Sequence, residues 1–298
     1  MEQAFDLDND QAYLDWRARK LALHPAGIEG IAVEMNSLAQ PSAAELAAVR
    51  QRVAAYNVAL IRTRPANVSP QSVILLGRAL SLIRTDANLL ADAQAVSWIT
   101  PAPLRTEDGG ATTTKRADFI PYTSKPLSWH TDGYYNAPQE QVLAWTLFCV
   151  RPARAGGINS LLDPEIAYIR LRDASRTHIE ALTHPKALRI PAHEQDGKML
   201  RPLSTGPVFS IREGHLHMRY SARGKNVIWR STTETDAARD ALTQLFSTGD
   251  AFTLNHRLEA GEGFVSNNVL HNRSAFAEAP GDASQRLLYR VRYLDRIQ

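Results

Sequence analysis

The chain has 298 residues, of which 44% are hydrophobic and 22% charged, so it can bury a large core without disulfide bonds. Its formal net charge is only +3, and Lys and Arg do not cluster in the sequence. The chain therefore lacks the usual pattern of a nucleic-acid-binding protein. The single cysteine, Cys149, excludes an intrachain disulfide and a cysteine-based zinc module.

The N-terminal segment shows no targeting signal. It lacks the basic-then-apolar order of a signal peptide. No apolar stretch approaches the roughly 20 residues that a membrane-spanning helix needs. We therefore expect a cytoplasmic protein with no membrane partner.

The first part of the chain, about 1–85, predicts an α/β arrangement. Ser42 and Glu45 have the spacing of a capping box, in which each side chain satisfies a free backbone N–H at the start of a helix. The predicted elements of this part are helices over 9–23, 42–56 and 71–83 and strands over 30–35 and 57–63.

The rest of the chain predicts mainly short strands. Residues 85–126 have few periodic signals, and Gly109-Gly110 indicates a long loop there. Many short strands after residue 127 are typical of a barrel or a double-sheet jelly roll. The predicted strands are 127–132, 142–150, 157–162, 207–212, 215–220, 252–256, 262–268 and 285–294, with helices at about 164–173 and 235–247. No linker is visible, so we expect a single domain over 1–298 that is mainly β with flanking helices. We expect the α/β part, about 1–85, to pack on the β core of this domain.

A candidate metal site begins at Trp129-His130-Thr131-Asp132, at the end of a predicted strand. Residues two apart on a strand share a face, so His130 and Asp132 can bind one ion. His271 is a candidate for the third ligand. Two His and one carboxylate form the site of non-haem Fe(II) oxygenases, which leaves positions open for a keto acid and O2. Because His-x-Asp is common by chance, the pair alone is not specific.

Within the last predicted strand, 285–294, residues 285–293 alternate between two kinds of side chain. Arg286, Arg290 and Arg292 fall on one face, and the other face is apolar and aromatic. Two interpretations follow from this pattern. The arginines either line a pocket, where each needs an anion because a buried unpaired guanidinium is costly, or are solvated on an outer strand.

Four short motifs in one order carry a family resemblance. They are Trp129-His130-Thr131-Asp132, Gly156-Gly157, an Asn-x-x-x-His that ends at His271, and an Arg-x-x-x-Arg from Arg286 to Arg290. Their order and spacing resemble the TauD/TfdA family of 2-oxoglutarate dioxygenases. Residues 130–136 and 268–273 are especially similar to its γ-butyrobetaine hydroxylase-like branch.

The resemblance implies a double-stranded β-helix, which is a jelly-roll core. It also implies that His130, Asp132 and His271 are the catalytic ligands of Fe(II). Arg286 matches the arginine that binds the distal carboxylate of 2-oxoglutarate. Arg290 matches a second arginine, which in some members meets an anionic group of the substrate.

The glycine motif implies a further contact to 2-oxoglutarate. Residues 156–160 align with a Gly-Gly-x-Thr/Ser segment whose hydroxyl helps to hold this cosubstrate. The chain departs from that pattern, so either Asn159 or Ser160 must make the contact.

Aromatic and basic residues are candidates for the substrate pocket. Residues 219–223 resemble a family segment near the active site, which makes Tyr220 and Arg223 candidates. Tyr134 and Tyr135 follow the metal motif and are further candidates, although aromatic side chains more often pack in a core.

The activity that the resemblance implies is hydroxylation of a C–H bond with O2, while 2-oxoglutarate is converted to succinate and CO2. The expected substrate is a small anionic or zwitterionic metabolite, and a homo-oligomer is open. Three alternatives stay open: desaturation or cleavage by the same iron site, a zinc hydrolase that uses the same triad, and a non-catalytic regulator that binds 2-oxoglutarate.

Overall fold

Two β-sheets face each other across the centre of the molecule, and helices cover the outer side of the larger sheet. This computed structural model describes residues 2–86, 88, 90–101, 119–195, 197–224, 227–278 and 285–298. Part of the predicted loop, including Gly109-Gly110, lies outside the described residues.

Six α-helices occur in the described residues. They are α1 (Asp10–Ala22), α2 (Ala43–Tyr56), α3 (Pro70–Ala79), α4 (Pro164–Ala174), α5 (Arg176–Thr183) and α6 (Thr233–Thr248). The capping box at Ser42 and Glu45 is present and starts α2. Helix α3 ends before the predicted residue 83 because Ser81 has a left-handed backbone with a φ of 66°. No helix in these ranges is long and apolar enough to cross a membrane.

The strands, numbered along the chain, are β1 (Ala32–Glu34), β2 (Val58–Arg62), β3 (Ser97–Ile99), β4 (Leu127–His130), β5 (Ala144–Arg151), β6 (Ala155–Gly156), β7 (Asn159–Leu162), β8 (Leu188–Ile190), β9 (His193–Gln195), β10 (Lys198–Arg201), β11 (Ser204–Gly206), β12 (Phe209–Arg212), β13 (His215–Met218), β14 (Ile228–Trp229), β15 (Leu254–His256), β16 (Glu262–Ser266), β17 (Leu270–Arg273), β18 (Phe276–Ala277) and β19 (Leu287–Tyr293). The larger sheet has the order β1-β2-β16-β5-β19-β3, and the smaller sheet has the order β15-β7-β17-β4. All pairs in these two sheets are antiparallel except β1–β2.

Two of the three apolar clusters in the described residues meet at the larger sheet. Its outer face packs against Val53 of α2 and Leu76 of α3. Its inner face carries Trp145 and Phe264, which pack against Leu161 of the smaller sheet. Strands β1 and β2 extend the larger sheet, so the N-terminal part shares its hydrogen bonding with the central strands.

Several elements between residues 176 and 229 were not predicted. Helix α5 begins one residue after Ser175, which ends α4 and caps α5. Strands β8, β11 and β14 form a small separate sheet, and β9 pairs with β10 as a hairpin. None of these strands exceeds four residues, so each is too short to show a two-residue alternation in the sequence.

A buried ion cluster attaches α1 to the core. Lys20 Nζ lies 2.6 Å from a carboxylate oxygen of Asp163 and 2.6 Å from one of Glu165, and it donates to the Ala55 carbonyl at 2.9 Å. The Lys20 residue is 8% exposed. Replacing Lys20 by Met is expected to lower the free energy of unfolding by about 3–5 kcal/mol, because it leaves buried carboxylates without their cation. Urea unfolding measures the change.

The exposed Lys186 offers a matched control. Lys186→Met removes the same charge from a turn, and its effect on stability is expected to stay within roughly 0.5 kcal/mol. Equal losses in the two variants would contradict the role given to the Lys20 cluster.

Candidate active site

The three predicted metal ligands meet where β17 pairs with β4. His271 lies directly opposite His130 in this antiparallel register, and their ring centroids are 4.2 Å apart. Asp132 follows β4 and places Oδ1 3.7 Å from His130 Nε2. One candidate ligand atom from each residue lies within 4.8 Å of the others, and His130 and Asp132 are buried. The fold therefore brings together the three residues that the sequence motifs selected.

Backbone carbonyls fix the tautomer of both imidazoles. His130 Nδ1 is 2.9 Å from the Ser128 carbonyl, and His271 Nδ1 is 2.9 Å from the Val269 carbonyl. A carbonyl oxygen only accepts, so each Nδ1 carries the hydrogen and donates it. In the neutral tautomer that these contacts select, the lone pair lies on Nε2, which is the state that a metal ligand needs.

The charge state of the cluster also suits a divalent cation. Burial raises the pKa of Asp132, but Arg290, His130 and Arg292 together outweigh that effect and hold the pKa well below its usual range. Burial, together with His130, lowers the pKa of His271 to about 3. At neutral pH the site thus offers an ionised carboxylate and a neutral His271 imidazole. Two imidazole nitrogens and one carboxylate oxygen fit Fe(II) and also other transition metals.

Asn268 positions the backbone of Asp132. Its side-chain oxygen accepts from the Asp132 N–H at 2.8 Å, and its amide nitrogen donates to the carbonyls of Asp132 at 3.0 Å and Val142 at 2.7 Å. Asn268 has a φ of 53°, a left-handed conformation that Asn tolerates better than most residues. The sequence motifs did not predict that Asn268 positions Asp132, because the two residues are far apart in the chain.

Replacing Asn268 by Ala is expected to weaken Fe(II) binding by roughly tenfold, because the backbone that carries Asp132 loses its support. Isothermal titration of the metal-free protein with Fe(II) under argon measures the affinity. Asn267→Ala is the matched control, because Asn267 is equally buried and bonds to the backbone of Ile297 instead. Both variants are expected to lose stability, but only Asn268→Ala is expected to lose iron affinity; equal iron affinities would contradict the positioning role.

Two cavities meet at the candidate metal ligands. The larger has a volume of about 570 Å³ and has His130 and Asp132 in its wall. The smaller has a volume of about 40 Å³ and is lined by Asp132 and His271 together with Arg286. The cluster thus faces a large space on one side and a compact space on the other.

Arg286 is buried beside the smaller cavity, as the resemblance implied for a cosubstrate anchor. It is 5% exposed, and its Nη1 has no hydrogen-bond partner among the described residues. Burial lowers its pKa to about 10, so the guanidinium is charged at neutral pH. A buried cation without an anion is costly, and a carboxylate in the smaller cavity would provide one. The interpretation of solvated arginines on an outer strand is wrong, because Arg290 and Arg292 are buried as well.

The register of β7 separates Asn159 from Ser160. Asn159 pairs with Arg273, lines the smaller cavity and is 6% exposed. Ser160 pairs with Asn272 and falls on the opposite face, and it does not line the cavity. The geometry therefore brings Asn159, and not Ser160, to the predicted cosubstrate position.

Gly156, at the end of β6, is required by close backbone packing. A Cβ at Gly156 would lie 2.2 Å from the Ala275 carbonyl oxygen, and Gly156 has a φ of 73°. Only glycine fits there without a shift of the backbone.

Most of the predicted substrate residues line the larger cavity. Tyr134, Tyr135, Arg223 and Arg290 are all in its wall. Tyr220 is the exception and needs correction: its ring is 4% exposed and packs against Phe246. Its backbone instead bonds to Thr131, between the two ligands of the first motif.

Arg292 and Asp86 form a buried pair that the sequence did not identify as part of the site. The Arg292 guanidinium contacts the Asp86 carboxylate and donates to the Tyr135 hydroxyl at 2.7 Å. Asp86 also accepts from the side chain of Asn136 at 2.8 Å. The alternation of the last strand was the only sequence signal for Arg292, and nothing pointed to Asp86.

Arg273 is a second residue that the sequence analysis missed. Its guanidinium donates to the carbonyls of Pro121, Thr123 and Lys125 at 3.2, 2.8 and 2.5 Å. Pro121 lines both cavities. Arg273 therefore holds a wall that the two cavities share.

Comparison with known structures identifies the fold. An asparagine oxygenase in complex with Fe(II), 2S,3S-3-hydroxyasparagine and succinate is 18% identical, with 89% of this chain and 93% of that chain covered and a TM-score of 0.57. The non-haem iron oxygenase OrfP in complex with Fe and alpha-ketoglutaric acid is 18% identical, with 86% and 81% covered and a TM-score of 0.60. This likeness confirms the predicted fold, mainly β with flanking helices and a jelly-roll core.

Sequence comparison identifies the family. A uridine-5'-phosphate dioxygenase of Amycolatopsis sp is 31% identical over 169 residues, which are 54% of this chain. The match covers 58% of that relative, so the chain spans little more than half of its length. Residues 18–292 match the model of the taurine catabolism dioxygenase TauD, TfdA family. The chain therefore belongs to the TauD/TfdA family, as its motifs predicted.

Proposed function

We propose that the protein is an Fe(II)- and 2-oxoglutarate-dependent dioxygenase that hydroxylates a C–H bond of a small anionic or zwitterionic metabolite. One observation carries the proposal: Asp132 and His271 of the candidate metal cluster line the same small cavity as Arg286, whose Nη1 has no hydrogen-bond partner among the described residues. The balanced reaction joins substrate, O2 and 2-oxoglutarate to give hydroxylated substrate, succinate and CO2.

The protein's own residues would hold and orient the reactants. His130, Asp132 and His271 would hold Fe(II), which when bound supplies the activation of O2. Arg286 would hold the distal carboxylate of 2-oxoglutarate through a bidentate contact. Asn159 offers its amide at the same cavity. Trp145 packs against the His271 ring at 5.0 Å and would keep that ligand oriented.

Arg290 would act between the two cavities. Its Nη1 lies 3.2 Å from Oδ1 and 3.1 Å from Oδ2 of Asp132. It lines both cavities. This contact would fix the carboxylate that binds iron, in addition to the substrate contact that the resemblance implies.

The larger cavity supports an anionic or zwitterionic substrate. Arg201, Arg223, Arg290 and Arg292 are in its wall. The Amycolatopsis relative acts, by its name, on uridine-5'-phosphate, which is an anionic metabolite. O2 would be the second small reactant.

The rival functions make different demands on Arg286. A zinc hydrolase with the same triad needs no anchor for a keto acid, so it gives no reason to bury an unpaired guanidinium there. A regulator that only binds 2-oxoglutarate has no need of a complete set of three ligands. Desaturation or cleavage would use the same residues, and product analysis distinguishes these from hydroxylation.

The proposal is tested by mixing metal-free protein with Fe(II) and 2-oxoglutarate without oxygen. A weak visible charge-transfer band is expected, because the keto acid chelates the bound iron. Zn2+ in place of Fe(II), and succinate in place of 2-oxoglutarate, are expected to give no band. A folded, iron-loaded protein that shows no band would remove the dioxygenase function and favour the zinc hydrolase.

A further inference from the structure

The arginines of the larger cavity differ in how their charges are balanced. Arg290 pairs with Asp132 at 3.1 Å, and Arg292 pairs with Asp86. Arg292 is 2% exposed and also donates to the Tyr135 hydroxyl. These two inner arginines already have carboxylate partners, so their charges are balanced within the protein, and a contact of Arg290 with the substrate would be shared with Asp132.

The two outer arginines, Arg201 and Arg223, have no carboxylate partner among the described residues. Arg201 donates from Nη2 to the Pro191 carbonyl at 3.1 Å, and its buried Nε has no partner there. The Arg223 guanidinium makes no hydrogen bond in the described parts of the chain, where the residue bonds only through its backbone N–H. Both side chains are half-buried, so two positive charges line the cavity without a carboxylate partner in the parts of the chain that the structure describes.

The two outer arginines come from different segments of the fold. Arg201 ends β10, pairs with His193 across the β9–β10 hairpin, and lies over the Tyr135 ring at 5.0 Å. Arg223 comes two residues after Ser221, which forms a β-bridge to His130. Arg223 therefore lies near the candidate metal site, and Arg201 lies on the hairpin wall, where stacking on Tyr135 orients it.

On the basis of the proposed function, we infer that the substrate carries a phosphate monoester held between Arg201 and Arg223. Two guanidiniums match the double negative charge of such a group, and each can bind two of its oxygens. A single carboxylate would leave one guanidinium without an anion. Glu140, the remaining carboxylate in the described cavity wall, is exposed and does not neutralise the pair.

The cavity leaves room for the organic part of such a substrate. Its volume of about 570 Å³ is much larger than a phosphate group needs. Leu90, Ile120 and Tyr134 contribute apolar surface to the same wall. The inner arginines would then shape the cavity beside the metal ligands, and the outer pair would set the distance from the phosphate to the oxidised carbon.

The test compares three probes that share a benzene ring: phenyl phosphate, benzoate and benzyl alcohol. Isothermal titration is done at constant ionic strength and above the second phosphate pKa of about 6, with the full chain carrying Fe(II) and 2-oxoglutarate under argon. Phenyl phosphate is expected to bind roughly tenfold more tightly than benzoate, and benzyl alcohol more weakly than both. Bound 2-oxoglutarate keeps the probe away from Arg286.

Variants assign the binding to the two arginines. Arg201→Gln and Arg223→Gln are each expected to weaken phenyl phosphate binding by roughly tenfold, because each removes charge-assisted hydrogen bonds. Arg154→Gln, which removes an exposed arginine outside both cavities, is expected to leave the affinity unchanged.

Three results would overturn the inference: benzoate binding as tightly as phenyl phosphate, unchanged affinity in both outer variants, or loss of affinity in Arg290→Gln alone. Repeating the titration without iron and 2-oxoglutarate separates this inference from the proposed function. Phenyl phosphate binding could depend on Arg201 and Arg223 while the protein loaded with Fe(II) and 2-oxoglutarate shows no charge-transfer band. That outcome would support the anion site and contradict the proposed dioxygenase function.

Discussion

Replacing Asp132 or His271 by Ala is expected to abolish Fe(II) binding and to lower the rate of succinate release by roughly a thousandfold or more, since the ligands act as one unit. Each residue supplies one of three ligand atoms that lie within 4.8 Å of one another. Anaerobic titration with Fe(II), the charge-transfer band and succinate release measure the loss.

The two variants are expected to differ in stability. Asp132→Ala leaves the buried Arg290 without its carboxylate and is expected to cost about 3 kcal/mol. His271→Ala removes a neutral ring and leaves no unpaired charge. Asp250→Ala is a matched control, because Asp250 also pairs with an arginine, Arg170, outside both cavities. Iron binding that survives in His271→Ala would exclude this residue as a ligand.

Replacing Arg286 by Gln is expected to raise the KM for 2-oxoglutarate by roughly a hundredfold, because two charge-assisted hydrogen bonds to its distal carboxylate are lost. The metal site itself is untouched, so Fe(II) affinity is expected to stay unchanged. Titrating the charge-transfer band with 2-oxoglutarate gives the dissociation constant directly.

The same variant is expected to leave the ligand-free protein as stable as the parent or more so. Arg286 is buried with an unpaired Nη1 in the described structure, so its removal relieves a desolvation cost. Arg151→Gln is the control, since Arg151 is exposed at the end of the neighbouring strand β5. An unchanged KM in Arg286→Gln, or an equal rise in Arg151→Gln, would rule out Arg286 as the anchor.

The sequence was sufficient to predict the residues whose positions follow from strand geometry. His130 ends β4 and Asp132 follows it two residues later, so their proximity is a local property of the backbone. Arg286 was predicted from its alternating strand together with the family motif. The many short strands after residue 127 predicted a barrel or a double-sheet jelly roll, and the family resemblance implied the jelly-roll core. These predictions depend on local periodicity and on motif order, which a single sequence displays.

The features of the site that the sequence did not predict depend on the pairing of segments that are distant in the chain. Asn159 and Ser160 are neighbours, and only the register of β7 against β17 decides which of them reaches the small cavity. Asn268 supports Asp132 through a left-handed backbone conformation, and a sequence does not display backbone dihedrals. Arg201 reaches the large cavity on a hairpin of very short strands.

Strand β19 carries two incompatible sets of side chains on its two faces. Tyr289, Val291 and Tyr293 pack under the helices, whereas Arg290 and Arg292 point towards the cavities. A slip of one residue in pairing would exchange the two faces. It would place guanidiniums in an apolar layer without any anion, at a cost that no other contact offsets. The arginines that face the cavities therefore also favour the native alignment of β19, because a pairing shifted by one residue would bury their charges in the apolar layer.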